Sequence, residues 1–258
     1  MLPTYVDSIL ASYYGNPGLS VAEVKTLKDF PKIKKDVEIF YNNYKNLYNS
    51  SHQFYPNQVY NIQERKSDFI QYRMFNSDGQ YFTDTTQTDW TDDINLQEKY
   101  FSGSSEFPYI MKLFGSLPSL GAAWLNVMHP TPRVFYHREN LFTQYKNKST
   151  FRIRFLIPII NNNNSYIQVN REVYKLEEGK IYFLNQGAVH APLNKGNTLR
   201  INFVCDCLFT PELIKWMADL TNLRSVETVE NHPIPESDVR DDRYHNITLK
   251  DISVVSYK

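Results

Sequence analysis

The chain has little glycine, almost no cysteine and no excess of charge of either sign. Its 258 residues include nine glycines and two cysteines, and 28 basic residues balance 28 acidic ones. A formal net charge of zero provides no overall field that would attract nucleic acid or an anionic membrane. None of the motifs G-x-G-x-x-G, G-x-x-x-x-G-K-[ST] and G-x-S-x-G occurs. This excludes the enzyme classes that depend on a glycine-rich phosphate loop or a nucleophile elbow.

The two cysteines and the lack of a long apolar run predict the compartment. Cys205 and Cys207 lie two residues apart in an apolar stretch, where a disulfide between neighbours on one side of a strand would be strained. We therefore predict free, buried thiols, which suit a reducing compartment. No run of 18 apolar residues occurs, and residues 1–15 lack a signal-peptide pattern. The sequence predicts a cytoplasmic protein with no membrane partner.

Apolar and aromatic residues are abundant enough to form a large core. Hydrophobic residues make up 41% of the chain and aromatic residues 15%, so disorder is not expected over most of it. The length fits one domain of about 200–250 residues or two smaller ones. We predict one domain, 1–258, with a helical and mixed N-terminal flank at 1–121, a core at 122–208, and a C-terminal helix and tail at 209–258.

The N-terminal flank carries several helix signals and one strand signal. Ser20 and Glu23 have the spacing of a capping box, which predicts a short helix after them. Pro31 stands at a helix start, and the apolar residues behind it recur at helical spacing, which predicts a helix over 31–48. Alternating apolar residues predict a strand over 67–75. A short helix is predicted at 108–114.

From residue 122 onwards, short apolar stretches alternate with turn residues. The predicted strands are 122–128, 133–136, 150–160, 166–169, 173–176, 181–185 and 199–208. Seven short strands at this spacing are typical of a β-sandwich or barrel, here a jelly roll. Thr210 and Pro211 then cap a helix over 211–220. The predicted class is mainly β, with N-terminal helices packed on the core and a short C-terminal helix.

Three residues in the core have the composition of an iron site. His137 and Glu139 lie at the end of one predicted strand and, at i and i+2, project to the same side. His190 follows another predicted strand. Two imidazoles and one carboxylate on neighbouring strands can form the facial triad of a non-heme Fe(II) oxygenase. Arg200 and Arg154 lie on further strands, and a guanidinium binds a carboxylate in bidentate fashion.

Each of these features also has an ordinary structural explanation. An H-x-E triplet arises often by chance, a single His in an apolar turn is commonly structural, and strand arginines are commonly surface charges. One alternative is a non-catalytic jelly-roll module whose ligand surface includes Trp124, Tyr136 and Tyr182. Another is a cupin-type, non-oxidative metal enzyme, for which His129 is the nearest spare histidine.

Three segments and two single residues carry a family resemblance. They are His137-Arg138-Glu139, Ile153-Arg154-Phe155-Leu156, Gly179-Lys180-Ile181-Tyr182-Phe183, His190 and Arg200. In order and spacing this region resembles the catalytic core of the aspartyl/asparaginyl β-hydroxylase family, which also includes bacterial hydroxylases of free proline. Glu139 stands where the family usually has Asp, and Leu156 where a member can have a His.

The resemblance implies a double-stranded β-helix that binds Fe(II) and uses 2-oxoglutarate and O2 as co-substrates. By position, His137, Glu139 and His190 would hold the iron. The co-substrate would be bound by Arg200, Arg154 and Asn126, and no catalytic residue beyond the metal site is implied. The implied activity is a dioxygenase that hydroxylates an unactivated C–H bond of an amino acid, either free or within a peptide or protein. Nucleic acid is not an expected partner.

Overall fold

The computed structural model describes residues 19–45, 69–76, 99–100, 103–130, 136–139, 142–145, 148–218, 224–235 and 239–241. The helices in this part are α1 (Phe30–Tyr44), α2 (Pro108–Gly115) and α3 (Pro211–Ala218), with a 3-10 turn at Ser104–Glu106. The strands are β1 (Val21–Thr26), β2 (Phe69–Asn76), β3 (Lys99–Tyr100), β4 (Leu120–Met128), β5 (Tyr136–Arg138), β6 (Phe142–Tyr145), β7 (Lys148–Ile160), β8 (Ser165–Val169), β9 (Glu172–Tyr174), β10 (Lys180–Leu184), β11 (His190–Asn194), β12 (Arg200–Leu208), β13 (Arg224–Ser225), β14 (Thr228–Asn231) and β15 (Val239–Asp241).

These strands form two sheets. The larger sheet has the order β13-β1-β10-β7-β12-β4-β2-β3, with β6 joined to β7, and the smaller has the order β14-β9-β8-β11-β5-β15. All pairs are antiparallel except β5 with β15. The mainly β, jelly-roll class predicted from the sequence is confirmed, although the strands in the described ranges do not close into a barrel.

Strand β12 lies in the middle of the larger sheet and is buried along its whole length. It pairs with β4 on one side and β7 on the other, and all nine of its residues are buried. Its odd-numbered residues, such as Phe203, belong to the core cluster that also contains helix residues. Val204, in contrast, packs with residues of the smaller sheet. We call the side that carries Phe203 and packs on the helices the outer face. The side that carries Val204 and packs on the smaller sheet is the inner face.

The outer face is covered by the three helices. Val37 and Phe40 of α1 are fully buried against it, and the Phe114 ring of α2 lies 5.1 Å from the Phe203 ring. The Trp216 ring of α3 lies 5.5 Å from that of Phe155. Burial of each large apolar side chain stabilises the fold by about 1.5–3 kcal/mol. These helices therefore anchor the sheet from the side opposite the smaller sheet.

The helix predicted from Ser20 and Glu23 is wrong, because this segment forms strand β1. The β1 backbone pairs with β10, and Val21 and Ala22 fall in the inner and outer clusters respectively. The two supposed capping side chains make other contacts. Ser20 Oγ donates to a Glu172 carboxylate oxygen at 3.3 Å, and the Glu23 carboxylate accepts from Lys180 Nζ at 2.9 Å. Capping-box spacing alone did not outweigh the pairing of this segment with β10 and β13.

The other helices are confirmed. Helix α1 begins at Phe30 with a proline in its first turn, and positions 46–48 of the predicted helix lie outside the described residues. Helix α2 has nearly the predicted bounds. At the start of α3, Thr210 Oγ1 accepts from the Leu213 backbone N–H at 3.2 Å, which confirms the predicted cap. The last two positions of that prediction, 219–220, also lie outside the described residues.

Gly179, the glycine of the family-like motif, has a structural role at the turn before β10. Its φ of +75° lies in the left-handed region, which favours glycine. A Cβ at this position would lie 2.6 Å from the Phe30 ring at the start of α1. The turn thus needs glycine both for its backbone conformation and for the close approach of α1.

The predicted state of the thiols is also confirmed. Cys205 and Cys207 are free and buried, and both face the outer core cluster. Burial raises the pKa of both thiols well above the usual range, which makes them poor nucleophiles and poor metal ligands. No helix in the described ranges is long and apolar enough to cross a membrane.

Candidate metal site

The two core histidines are brought together by pairing within the smaller sheet. His190 is the first residue of β11 and pairs directly with His137 of β5, so their ring centroids lie 4.4 Å apart. The sequence pattern places His190 just after the predicted strand 181–185, whereas in the structure His190 begins a strand of its own. Pro192 falls within this short strand, and proline inside an apolar run weakens a strand prediction.

Glu139 completes a group of three possible metal ligands. Its backbone N–H donates to the Gln186 carbonyl at 3.0 Å, which fixes the chain just after β5. Glu139 Oε1 lies 3.3 Å from His137 Nε2. One potential ligand atom from each of His137, Glu139 and His190 lies within 4.8 Å of the other two. In the part of the chain that the structure describes, this is the one such group of three.

The ionisation states of this group suit metal binding. The ring of His190 is buried, and Nδ1 donates to the Ala188 carbonyl at 2.9 Å, which leaves the Nε2 lone pair available to a metal. Burial, assisted by His137, lowers the pKa of His190 to about 3, so the imidazole is neutral at neutral pH. Burial opposes ionisation of Glu139, but Arg154 and His137 hold its pKa well below the usual range.

Arg154 connects Glu139 to the buried carboxylate of Asp206. Its Nε and Nη2 atoms donate to Asp206 Oδ1 and Oδ2, both at 2.8 Å, and its Nη1 forms an ion pair with Glu139 Oε2. Arg152 Nη1 also reaches Asp206, at 3.4 Å. Burial opposes the charge on Arg154, but Asp206 and Glu139 raise its pKa above the ordinary value. The guanidinium is therefore charged and held between two carboxylates.

Arg200 lies at the opposite end of β12. It is 1% exposed, and its Nη1 donates to the Tyr166 carbonyl at 2.6 Å and the Leu193 carbonyl at 3.3 Å, so it reaches the smaller sheet. With the Asn202 amide oriented toward its donors, Asn202 Oδ1 accepts from Arg200 Nε at 3.1 Å. Burial lowers the pKa of Arg200 to about 10, and the group remains cationic at neutral pH.

Asn126 lies between these two ends on the neighbouring strand. It is directly paired with Asn202 across β4 and β12, and its Oδ1 is a buried oxygen without a hydrogen-bond partner. Arg154 pairs with Asp206 in the sheet register, six positions along β12 from Arg200, or about 20 Å of strand. The structure thus places Arg154 beside the histidine-glutamate group, Arg200 at the far end, and Asn126 between them.

The residues of the two alternative functions have other surroundings. Tyr182 is 2% exposed and its hydroxyl accepts from the Glu177 N–H, while the Tyr136 hydroxyl donates to Gln168 at 2.8 Å. Trp124 is half-buried, with the Arg154 guanidinium 5.8 Å from its ring centroid. His129 does not belong to the group of possible metal ligands. A cupin-type third histidine is therefore not found within the described ranges.

Sequence reasoning missed Asp206, Arg152 and Asn202. All three are buried, and all lie on the inner face beside predicted site residues. A signal was present, because Asp206 is an acid in the otherwise apolar stretch Phe203-Val204-Cys205-Asp206-Cys207-Leu208. An acid is almost never fully buried unless it is paired. The identity of its partner required the strand register.

The fold and donor set together define a class of protein. The smaller sheet and the residue just after its strand β5 supply two imidazoles and an ionised carboxylate, which fits a mononuclear site for a first-row divalent metal such as Fe(II). The family model for aspartyl/asparaginyl beta-hydroxylase matches residues 34–209, and the chain belongs to this family. It is an oxygenase that uses Fe(II), 2-oxoglutarate and O2, and its family implies a small-molecule or peptide substrate.

Solved structures with a similar fold are distant in sequence. An oxidoreductase of the 2OG-Fe(II) oxygenase family from Burkholderia pseudomallei is 12% identical, with a TM-score of 0.31 over 54% of this chain and 68% of its own. AviO1 from Streptomyces viridochromogenes Tue57 is 10% identical, with a TM-score of 0.41 over 81% and 96%. The non-heme monooxygenase ThoJ, in a nickel complex, is 12% identical, with a TM-score of 0.38 over 84% and 85%. Likeness this distant carries no argument about activity. No curated protein matches the chain.

Proposed function

We propose that this oxygenase hydroxylates an unactivated C–H bond of an amino acid, either free or within a peptide or protein. The observation that carries the proposal is the group formed by His137, Glu139 and His190, whose potential ligand atoms lie within 4.8 Å of one another. This group lies in a chain of the aspartyl/asparaginyl β-hydroxylase family, whose name refers to amino-acid residues.

His137, Glu139 and His190 would hold the metal. Bound Fe(II), with 2-oxoglutarate and O2, supplies the oxidation that inserts hydroxyl into a C–H bond and yields succinate and CO2. The chain's own contribution is to keep the donors ready. The Ala188 carbonyl fixes the tautomer of His190, and Arg154 keeps Glu139 ionised.

Arg200, Arg154 and Asn126 would bind the co-substrate. Arg154 lies beside the group of metal ligands and Arg200 lies at the other end of β12, and a guanidinium binds a carboxylate through two bonds. Asn126 lies between them, and its buried Oδ1 is open to a donor or an ordered water. Since Arg200 lies at the end of β12 farther from the metal ligands, we assign it the carboxylate farther from the metal.

The cellular compartment of the protein and the extent of its domain are also proposals. Two free, buried thiols fit a reducing compartment, and we propose a cytoplasmic protein. We also propose that residues 1–258 serve one site as a single domain, with 122–208 as its core. The balanced charge gives no support for a nucleic-acid partner.

The test is a turnover assay. The protein is incubated aerobically with Fe(II), 2-oxoglutarate and pools of free amino acids or peptides, and succinate and hydroxylated products are measured. We expect product with the wild type and none with His137→Ala. His232→Ala is the matched control, since His232 is exposed and paired with Glu230. If the wild type neither forms succinate nor binds 2-oxoglutarate in a metal-dependent way, the proposal is wrong.

A further inference from the structure

Asp206 is a fully buried acid that the proposed chemistry does not use. It is 0% exposed and lies on the inner face of β12, between the sheets. A buried carboxylate is costly unless it is paired and hydrogen-bonded. Asp206 meets this requirement through the bidentate contact with Arg154, at 2.8 Å for each bond, and through Arg152 at 3.4 Å.

The contact with Asp206 determines which edge of the Arg154 guanidinium remains for Glu139. Nε and Nη2 both donate to Asp206, so Nη1 is the nitrogen that faces Glu139 Oε2. The guanidinium is planar and rigid, and fixing one edge therefore fixes the position of the third nitrogen. Arg154 thus contacts Glu139 through one oxygen, Oε2. The other oxygen of Glu139, Oε1, lies 3.3 Å from His137 Nε2, inside the group of possible ligands.

We propose that Asp206 is a positioning residue for the metal site. Acting through Arg154, it holds Glu139 so that Oε1 is presented to the metal while Oε2 is occupied. Without Asp206, the freed Nε–Nη2 edge can turn toward Glu139 and bind both of its oxygens, in competition with the metal. This inference rests on the proposed function in one respect, namely that the site binds a divalent metal.

The Arg154 guanidinium thus has a main partner other than the co-substrate. Three of its nitrogens already contact Asp206 and Glu139, whereas Arg200 contacts backbone carbonyls and an amide. We therefore expect loss of the Asp206–Arg154 contact to lower the metal affinity directly. Any fall in 2-oxoglutarate affinity would be a consequence of the weaker metal binding.

The experiment measures Mn(II) and Co(II) affinity of metal-free protein by calorimetry, without 2-oxoglutarate. The variants are Asp206→Asn, Arg154→Lys and the double variant, since lysine keeps the charge but cannot span both carboxylates. We expect each single variant to bind metal about 10–100-fold more weakly, as for other residues that orient metal ligands. Because both act through the same contact, the double variant should be little weaker than the weaker single variant.

A spectroscopic measurement separates positioning from a general loss of stability. The visible spectrum of the Co(II) protein reports the ligand set, and we expect the spectrum of Asp206→Asn to shift toward that of Glu139→Gln. Cys207→Ala is the matched control. Cys207 is the next residue, equally buried, but on the outer face. It should lower thermal stability without altering the spectrum or the metal affinity.

The outcomes are distinct. Wild-type metal affinity and an unchanged Co(II) spectrum in Asp206→Asn would overturn the inference and leave the proposed function intact. If Asp206→Asn does not fold, Arg154→Lys decides, and wild-type affinity in that variant would overturn the inference equally. A wild-type protein that binds neither metal would overturn the proposed function and this inference with it.

Discussion

The two faces of β12 are equally buried but carry opposite kinds of side chain. The outer face presents Ile201, Phe203, Cys205 and Cys207 to the helices. The inner face presents Arg200, Asn202 and Asp206 to the smaller sheet. Burial of polar and charged groups costs free energy unless every group is paired. The polar inner face therefore serves binding at a cost in folding free energy, whereas the apolar outer face stabilises the fold.

The inner face is itself divided. Around Leu156, Tyr182 and Val204 it is apolar and packs on the smaller sheet. The charged groups lie beyond this apolar patch along β12, with Asp206 on one side and Arg200 on the other. Apolar surroundings strengthen electrostatic interactions by lowering the local dielectric constant. The residues of the larger sheet therefore have three roles. Those of the outer face stabilise the fold, the apolar patch of the inner face lowers the local dielectric constant, and the charged residues bind.

Of the substitutions that test this difference between the two faces, the one with the largest expected effect is on the outer face. Phe203→Ala removes a fully buried ring that packs 5.1 Å from Phe114, and a Phe-to-Ala change in a core costs about 3–5 kcal/mol of the free energy of unfolding. Urea denaturation measures this cost, and a Mn(II) titration of the folded protein should show unchanged affinity. Val229→Ala, at a position 47% exposed, is the control and should change stability by less than about 0.5 kcal/mol. A parallel loss of metal affinity in Phe203→Ala would show that the two faces are not separable.

Much of this division could be read from the sequence. The apolar stretch of β12 predicted a strand over 199–208 that carries Arg200, and the period of two put Cys205 and Cys207 on one side of it. The H-x-E triplet placed His137 and Glu139 on the same side. These are local patterns, in which spacing along the chain determines direction.

The remainder depended on contacts between distant segments. The pairing of His190 with His137 and of Asp206 with Arg154 is set by strand register, and no local pattern specifies which residues of two strands lie opposite each other. The strand β1 was predicted as a helix for the same reason, since its conformation is decided by pairing with β10. Sequence therefore predicted the candidate residues, and register determined which of them meet.

A smaller effect is expected at the Arg200 end of the inner face. Arg200→Lys keeps the positive charge but loses the planar fork that binds a carboxylate through two bonds. We expect the affinity for 2-oxoglutarate to fall by about tenfold, equivalent to about 1.4 kcal/mol. Mn(II) affinity without 2-oxoglutarate should be unchanged. Arg171→Lys, at an exposed position, serves as the control. Unaltered 2-oxoglutarate affinity in Arg200→Lys would show that the co-substrate does not bind at this end of β12.

The smallest expected effect concerns the apolar part of the inner face and depends on pH. Burial raises the pKa of Tyr182 to about 12, whereas in the unfolded chain it titrates near 10. The folded state therefore keeps its proton longer, so this stabilisation is complete below pH 10 and is lost as the pH rises toward 12. Tyr182→Phe removes the titration and also the hydrogen bond from the Glu177 N–H at 2.9 Å, which costs about 0.5–1.5 kcal/mol at neutral pH. Urea midpoints between pH 8 and 11 should consequently fall less steeply in Tyr182→Phe than in the wild type. Equal slopes would mean that Tyr182 ionises as readily in the folded protein as in the unfolded chain, and that the apolar patch does not insulate the site.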